Sequence, residues 1–229
     1  MTLVDGKLSP QHHAAPVRRH LLDAAAKRAL DVAVSSLMLI AATPLMLLAV
    51  AGIGLSSPGP VFYRARRVGK DGQLFSMLKF RSMRINSDAL SPITAPGDSR
   101  IFPFGHFLRV TKIDELPQLW NVVVGDMSLV GPRPEDPTIV ETYYDARMRL
   151  SLTVRPGLTS PGTILYMKRF RDTVSTGDTM QSYVSGILRE KLETDIAYLA
   201  KATVFRDVWL LVQTAGLIVS KFVRSPGRE

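Results

Sequence analysis

Cysteine is absent from this 229-residue chain, which excludes disulfides and thiolate metal sites and suits a reducing compartment. Histidine is scarce, at four residues. The adjacent His12 and His13 have no further ligands close by in sequence, so they make a poor metal site. Aromatic residues are 7% of the chain and few lie among the basic ones, so the stacking surface that single-stranded nucleic acid uses is not apparent. Nucleic acid is therefore not an expected partner. Repeats and low-complexity tracts are missing too. What the chain has in excess is positive charge: 29 Lys and Arg against 20 Asp and Glu, a formal net charge of +9. That balance favours acidic partners, notably phospholipid headgroups and phosphorylated substrates.

The length suits one domain, or one domain with appendages. Residues 1–17 are polar and read as a flexible tail. Residues 18–57 form a membrane unit. It begins with an amphipathic helix, Arg18 to Asp31, offering Arg18, Arg19, Lys27 and Arg28 to anionic headgroups. Val32 to Leu55 then carries no charge at all, and about 20 apolar residues suffice for a membrane helix. The segment lies too far in, and lacks the cleavage site, to be a removed signal peptide. Thr43-Pro44 falls in the middle of it, where proline removes a backbone hydrogen bond and bends a helix. Both flanks are basic, with Arg64, Arg66, Arg67 and Lys70 downstream, and positive flanks prefer the cytoplasmic side. The sequence thus predicts a re-entrant helix–break–helix that enters and leaves by one face, in place of an ordinary kinked span.

Residues 58–229 form the expected cytoplasmic domain, of mixed α/β (α+β) class. Val61 to Val68 and Leu74 to Met83 resemble strands joined by a Gly69-Lys70-Asp71-Gly72 hairpin turn. Lys79 and Arg81 would share a face of the second strand, either to bind phosphate or as the defensive charges of an edge strand. Residues 86 to 100 read as loop. Further on, Tyr143 to Leu150 suits an exposed helix, Met167 to Thr179 a loop, and Gln181 to Lys201 a helix. Phe205 to Val223 is too interrupted by charge to span a bilayer. It suits an interfacial helix or one packed on the core.

The most informative stretch runs from Arg109 to Pro134. It holds an adjacent carboxylate pair, Asp114 and Glu115, followed by Leu116-Pro117-Gln118-Leu119-Trp120. Asp favours the N-cap, and Pro117 is tolerated only in a first turn. A helix is therefore expected to begin at Asp114, with free N–H groups that suit phosphate. Arg109, five residues earlier, and Arg133, in the Gly131-Pro132-Arg133-Pro134 turn, are candidate anion clamps. Read from the dipeptide alone, Asp114 is more simply a cap.

Several motifs run in order along the chain: Lys27-Arg28-x-x-Asp31, Pro58-Gly59-Pro60-Val61-Phe62-Tyr63, Lys79-Phe80-Arg81-Ser82-Met83, Asp114-Glu115-Leu116-Pro117-Gln118-Leu119-Trp120-Asn121-Val122, Gly125-Asp126-Met127-Ser128-Leu129-Val130-Gly131-Pro132-Arg133-Pro134, and Arg155-Pro156-Gly157-Leu158-Thr159. In these the chain resembles the bacterial sugar transferase family, the monotopic polyprenyl-phosphate phosphoglycosyl transferases. The likeness covers roughly residues 27 to 160, and the C-terminal helices more weakly. It implies a re-entrant enzyme at the cytoplasmic face of the bacterial inner membrane. It also implies Mg2+, a UDP-sugar donor, a polyprenyl phosphate acceptor and a covalent phospho-sugar intermediate on Asp114. Magnesium would be held by Asp114 or Glu115. Lys79, Arg81, Arg109 and Arg133 would bind phosphate.

Two departures stand out. Thr43-Pro44 replaces the family's usual Ser-Pro, and Ser160-Pro161-Gly162-Thr163 stands where Gly-Trp-Ala-Gln is common, which leaves donor preference open. The chain reads as a minimal, single catalytic unit. Read without the family, the residues also allow a non-catalytic membrane-surface scaffold that binds anionic lipid. A homodimer is neither required nor excluded by the sequence.

Overall fold

The computed structural model describes residues 21–85, 98–173 and 179–224. The expected tail, Arg18, Arg19 and most of the 86–100 loop lie outside the described residues. The described chain is a mixture of helices with two small sheets. Its first element, α1 (Leu21–Ser56), is one continuous helix of 36 residues, about 54 Å long if straight. Among the described residues it is the one helix long and apolar enough to cross a membrane. The helical winding continues through Pro44, so the expected break is not an interruption of the helix. Thr43 Oγ1 donates to Leu39 O at 2.8 Å, alongside the residues where proline removes a backbone donor.

Both ends of α1 pack on the globular unit. Near its start, Lys27 Nζ bridges Asp31 Oδ1 (2.9 Å) and Asp207 Oδ2 (3.2 Å). Ser128 Oγ and Leu129 N donate to Asp31 at 2.8 and 3.2 Å, and Tyr198 Oη donates to Asp207. Arg28 donates to Val122 O (2.6 Å) and Val123 O (2.8 Å). Near its end, Ala49 and Ile53 join Phe80, Phe102, Leu108 and Ile113 in an apolar cluster. Between the two ends, Leu37, Met38, Ile40, Leu45, Leu47 and Leu48 are exposed. The uncharged middle of the helix thus presents apolar side chains outward.

The expected hairpin forms. β1 (Phe62–Val68) and β2 (Leu74–Phe80) pair antiparallel, with Tyr63 opposite Lys79. Asp71 takes a left-handed conformation in the turn. α2 (Pro103–Thr111) ends at Lys112, and α3 (Gln118–Val124) ends at Gly125 with φ +102°. β3 (Ser128–Val130) and β4 (Gly157–Thr159) form a parallel pair. Gly131 and Gly157 meet there backbone to backbone: a Cβ on Gly157 would lie 2.1 Å from Gly131 N, and one on Gly131 would lie 2.5 Å from Arg155 O.

α4 (Pro137–Tyr143) is capped by Asp136, whose carboxylate accepts from Thr138 N. The expected helix over 143–150 is instead the end of α4 followed by a 3-10 turn, Met148–Thr153. Of the expected loop over Met167 to Thr179, residues 167–173 continue α5 (Pro161–Thr173), and 174–178 lie outside the described residues. The first turn of α5, the Ser160–Thr163 departure, docks on α7 (Arg189–Leu199): Asp195 Oδ1 accepts from Gly162 N at 2.7 Å, and a Cβ on Gly162 would lie 2.4 Å from Lys191 O. α6 (Thr179–Tyr183) runs into α7 through a π turn, as the helical reading of 181–201 anticipated. α8 (Val204–Arg224) buries Asp207 and Leu210 and turns Phe205, Trp209, Val212 and Val219 outward.

Candidate active site

The site begins where α2 stops. Lys112 adopts a left-handed conformation (φ 62°, ψ 13°), which a non-glycine residue takes at some cost. That reversal starts a 3-10 turn, Ile113–Glu115. Winding by i+3 bonds continues (Leu116 N to Ile113 O, Leu119 N to Leu116 O, Trp120 N to Pro117 O, each 3.1 Å) until α3 begins at Gln118. The helix therefore starts four residues later than the sequence predicts. The residues in the N-cap positions are Lys112 and Pro117, neither making a side-chain cap bond, and Pro117, lacking an N–H, cannot carry the α pattern back to Ile113. The expected helix N-terminus at Asp114 is replaced by a tight turn.

That turn aims the two neighbouring carboxylates differently. Glu115 is held by Arg133 through a two-pronged contact, Nη2 to Oε1 at 2.6 Å and Nη1 to Oε2 at 3.2 Å. Lys79 and Lys112 each place Nζ 3.7 Å from the same Oε1. Burial works against the Glu115 charge, but Arg133, Lys79 and Lys112 outweigh it and hold its carboxyl well below the usual range. Arg133 is stabilised as a cation in return, chiefly by Glu115. Asp114 is only 4% exposed, and its Oδ1 has no hydrogen-bond partner among the described residues. Burial, then the charge of Glu115, push its carboxyl up, while Lys79, Lys112 and Arg109 pull it back. Lys79 is itself lowered to about 8, mainly by burial, with Glu115 opposing.

Lys79, Arg109 and Arg133, all expected from sequence, therefore surround the pair. Arg109 also donates to Ser82 Oγ at 3.3 Å. Arg81 does not join them. Its Nε donates to Pro60 O (2.6 Å), its Nη1 to Ser57 Oγ (3.0 Å) and its Nη2 to Ser57 O. The guanidinium is spent fastening the end of β2 to the segment just after α1, so a phosphate role for Arg81 gives way to a structural one. Lys112 was missed from sequence: only the reversal of the backbone after α2 brings it back to Glu115. Gln118 was passed over as part of the motif.

Four cations around two carboxylates leave a local excess of positive charge, which suits a diphosphate. Among the described residues no group of three or more acidic or histidine side chains could cage a metal. Magnesium needs only one or two protein carboxylates when substrate phosphates supply other ligands, so this donor set fits it. Either Asp114 or Glu115 could supply the carboxylate oxygen, Glu115 alongside its contact with Arg133.

Comparison with known proteins finds relatives of one family. A family profile described as bacterial sugar transferase matches residues 22–221. A UDP-glucose:undecaprenyl-phosphate glucose-1-phosphate transferase of Xanthomonas campestris pv. campestris is 37% identical over 169 residues, covering 72% of this chain and 32% of that protein. One of the same description from Caulobacter vibrioides is 38% identical over 166 residues, covering 71% and 58%. A UDP-N-acetylgalactosamine-undecaprenyl-phosphate N-acetylgalactosaminephosphotransferase of Aeromonas hydrophila is 35% identical over 174 residues, covering 74% and 38%. The match thus spans from about a third to somewhat over half of the length of these relatives.

Proposed function

From the premise that this chain belongs to the bacterial sugar transferase family, we propose that it moves a sugar 1-phosphate from a UDP-sugar to polyprenyl phosphate, the first membrane step of a glycoconjugate or exopolysaccharide. The observation that carries the reading is the division between the two carboxylates. Glu115 is locked to Arg133, whereas Asp114 is buried beside the same cations with an oxygen left unpaired. A carboxylate is a competent covalent nucleophile for phosphoryl transfer and needs no base once ionised.

In the first half-reaction an Asp114 oxygen attacks the sugar-bearing phosphorus. The phosphoanhydride bond breaks, and UMP departs with the electron pair. In the second, an oxygen of polyprenyl phosphate attacks that phosphorus, the bond to Asp114 breaks, and the carboxylate is regenerated. Arg109, Lys79 and Lys112 offset the negative charge that gathers around the phosphorus, and Arg133 contributes while fixing Glu115. Glu115 keeps these cations gathered. Magnesium, held by Asp114 or Glu115 with donor phosphate oxygens, would supply Lewis-acid neutralisation when bound.

The lipid acceptor requires a site at the bilayer surface. A re-entrant α1 at the cytoplasmic face supplies it, and the packing of both helix ends on one globular unit supports that topology. Pro44 provides a cause for bending. The outward apolar side chains of α8, with Trp209 among them, support an interfacial position for that helix.

The test is mass spectrometry of the full chain mixed with a panel of UDP-sugars without acceptor. The expected result is a sugar-phosphate adduct on Asp114 and matching UMP release for at least one donor, with the adduct discharged by added polyprenyl phosphate. Absence of both adduct and monophosphate from every donor would overturn the proposal.

A further inference from the structure

The polar residues that the winding around Asp114 buries, Asp114, Gln118 and Asn121, form one stripe, with Ile113, Pro117, Leu119 and Val122 buried around it. This is the three- and four-residue spacing of one helical face. Two of the polar residues on it differ sharply. Asn121 uses its whole amide: Oδ1 accepts from Leu78 N at 2.9 Å, and Nδ2 donates to Ser76 O at 2.9 Å and Asp126 Oδ2 at 3.1 Å. It bolts α3 to β2. One turn closer to the carboxylates, Gln118 is 0% exposed, and neither its Oε1 nor its Nε2 has a hydrogen-bond partner among the described residues.

β2 fixes the order along this stripe. Asn121 binds at Ser76 and Leu78, and Lys79, the next residue on the strand, reaches Glu115. Gln118 therefore lies between the amide that fastens the helix and the reacting pair. Asp114 Oδ1, one turn away, is buried and lacks a donor; Gln118 Nε2 is buried and lacks an acceptor. Leaving such groups unmet is destabilising, and an apolar side chain of similar size would avoid the penalty. A fully buried glutamine kept at that cost, beside a carboxylate with the complementary need, points to a role in the reaction.

We infer that Gln118 is a positioning residue for Asp114: both atoms are unpartnered in the free protein, and when the sugar donor binds the Gln118 Nε2–H turns to donate to Asp114 Oδ1, so that Oδ2 is the oxygen presented to the donor phosphorus. This rests on the reading of Asp114 as nucleophile. Side chains one helical turn apart are within reach of each other. A carboxylate held through one oxygen is restrained to a narrow range of attack geometries, and misplacement by about 1 Å can cost about 100-fold in rate.

The experiment compares the full-length protein with Gln118→Leu and Gln118→Glu. It measures the rate of adduct formation on Asp114, the donor KM and the unfolding midpoint. Gln118→Leu is expected to slow adduct formation by about 10- to 100-fold, to leave donor KM within about threefold, and to melt at or above the wild-type temperature. Gln118→Glu replaces the donor with a second carboxylate and is expected to slow adduct formation at least as much. A wild-type adduct rate in either variant overturns the inference. So does a Gln118→Leu protein that melts well below wild type, because Gln118 would then be serving the fold. If the wild-type protein itself forms no adduct, the parent reading fails instead.

Discussion

The molecule holds two clusters of buried charge that look alike in composition and differ in how their needs are met. Around Lys27, the lysine and both aspartates are saturated: Asp31 accepts from Lys27, Ser128 and Leu129, and Asp207 from Lys27 and Tyr198. Around Asp114, cations outnumber acids, one carboxylate monopolises Arg133, and the other keeps an unpaired oxygen. The first arrangement joins α1, β3 and α8. The second leaves its positive excess and its unpaired oxygen for a ligand. Burial and charge alone do not separate these two clusters; how far their hydrogen-bonding needs are met does.

Neutralising each cluster should separate them. Asp114→Asn is expected to lower turnover by about 10⁴-fold or more, as loss of a nucleophile does. Its melting temperature should hold or rise, because burial and Glu115 already disfavour the charged form of Asp114. UMP release and thermal unfolding together check this, and a large fall in melting temperature would erase the contrast. Lys27→Met should do the reverse. It strands two buried aspartates, which costs about 3–5 kcal/mol, or roughly 10 °C in a chain of this size. Turnover per folded molecule should stay within a few-fold of wild type.

The smallest expected effect tests a group between these extremes. Asp195 is buried, with Oδ1 on Gly162 N and Oδ2 without a partner among the described residues. Burial raises its carboxyl to about 6. The folded state therefore holds this proton more tightly than the unfolded state does. Asp195 gives most stability at low pH and loses it as pH rises from about 4 through about 6. Asp195→Asn keeps an acceptor for Gly162 and should add about 3 kcal/mol at pH 7 and nothing below about pH 4. Equal unfolding shifts at pH 4 and pH 7 would contradict that assignment.

What the sequence revealed tracks how local each signal is. The charge-free run announced α1, and Gly69 to Gly72 between two apolar runs announced the hairpin. The Asp114–Glu115 pair and Arg133 stood out through their motifs. The capture of Arg81 by Ser57 and Pro60 was hidden because it depends on where α1 ends relative to β2. The start of α3 was misplaced because a left-handed lysine and a proline three residues past Asp114 favour i+3 winding over a capped helix. β3 and β4, three residues each, are too short to show alternation. The basic residues after Met167 read as loop, yet they continue α5, whose first turn is anchored on α7.

The contact between Gly131 and Gly157 reaches into how this chain could be re-engineered. The segment bearing Arg133 and the one that opens the Ser160–Thr163 departure interlock without side chains, so each is the mould for the other. A chimera that borrows one segment from a relative selective for another sugar would set a foreign surface against the native one. Exchanging the two as a matched cassette keeps the seam closed.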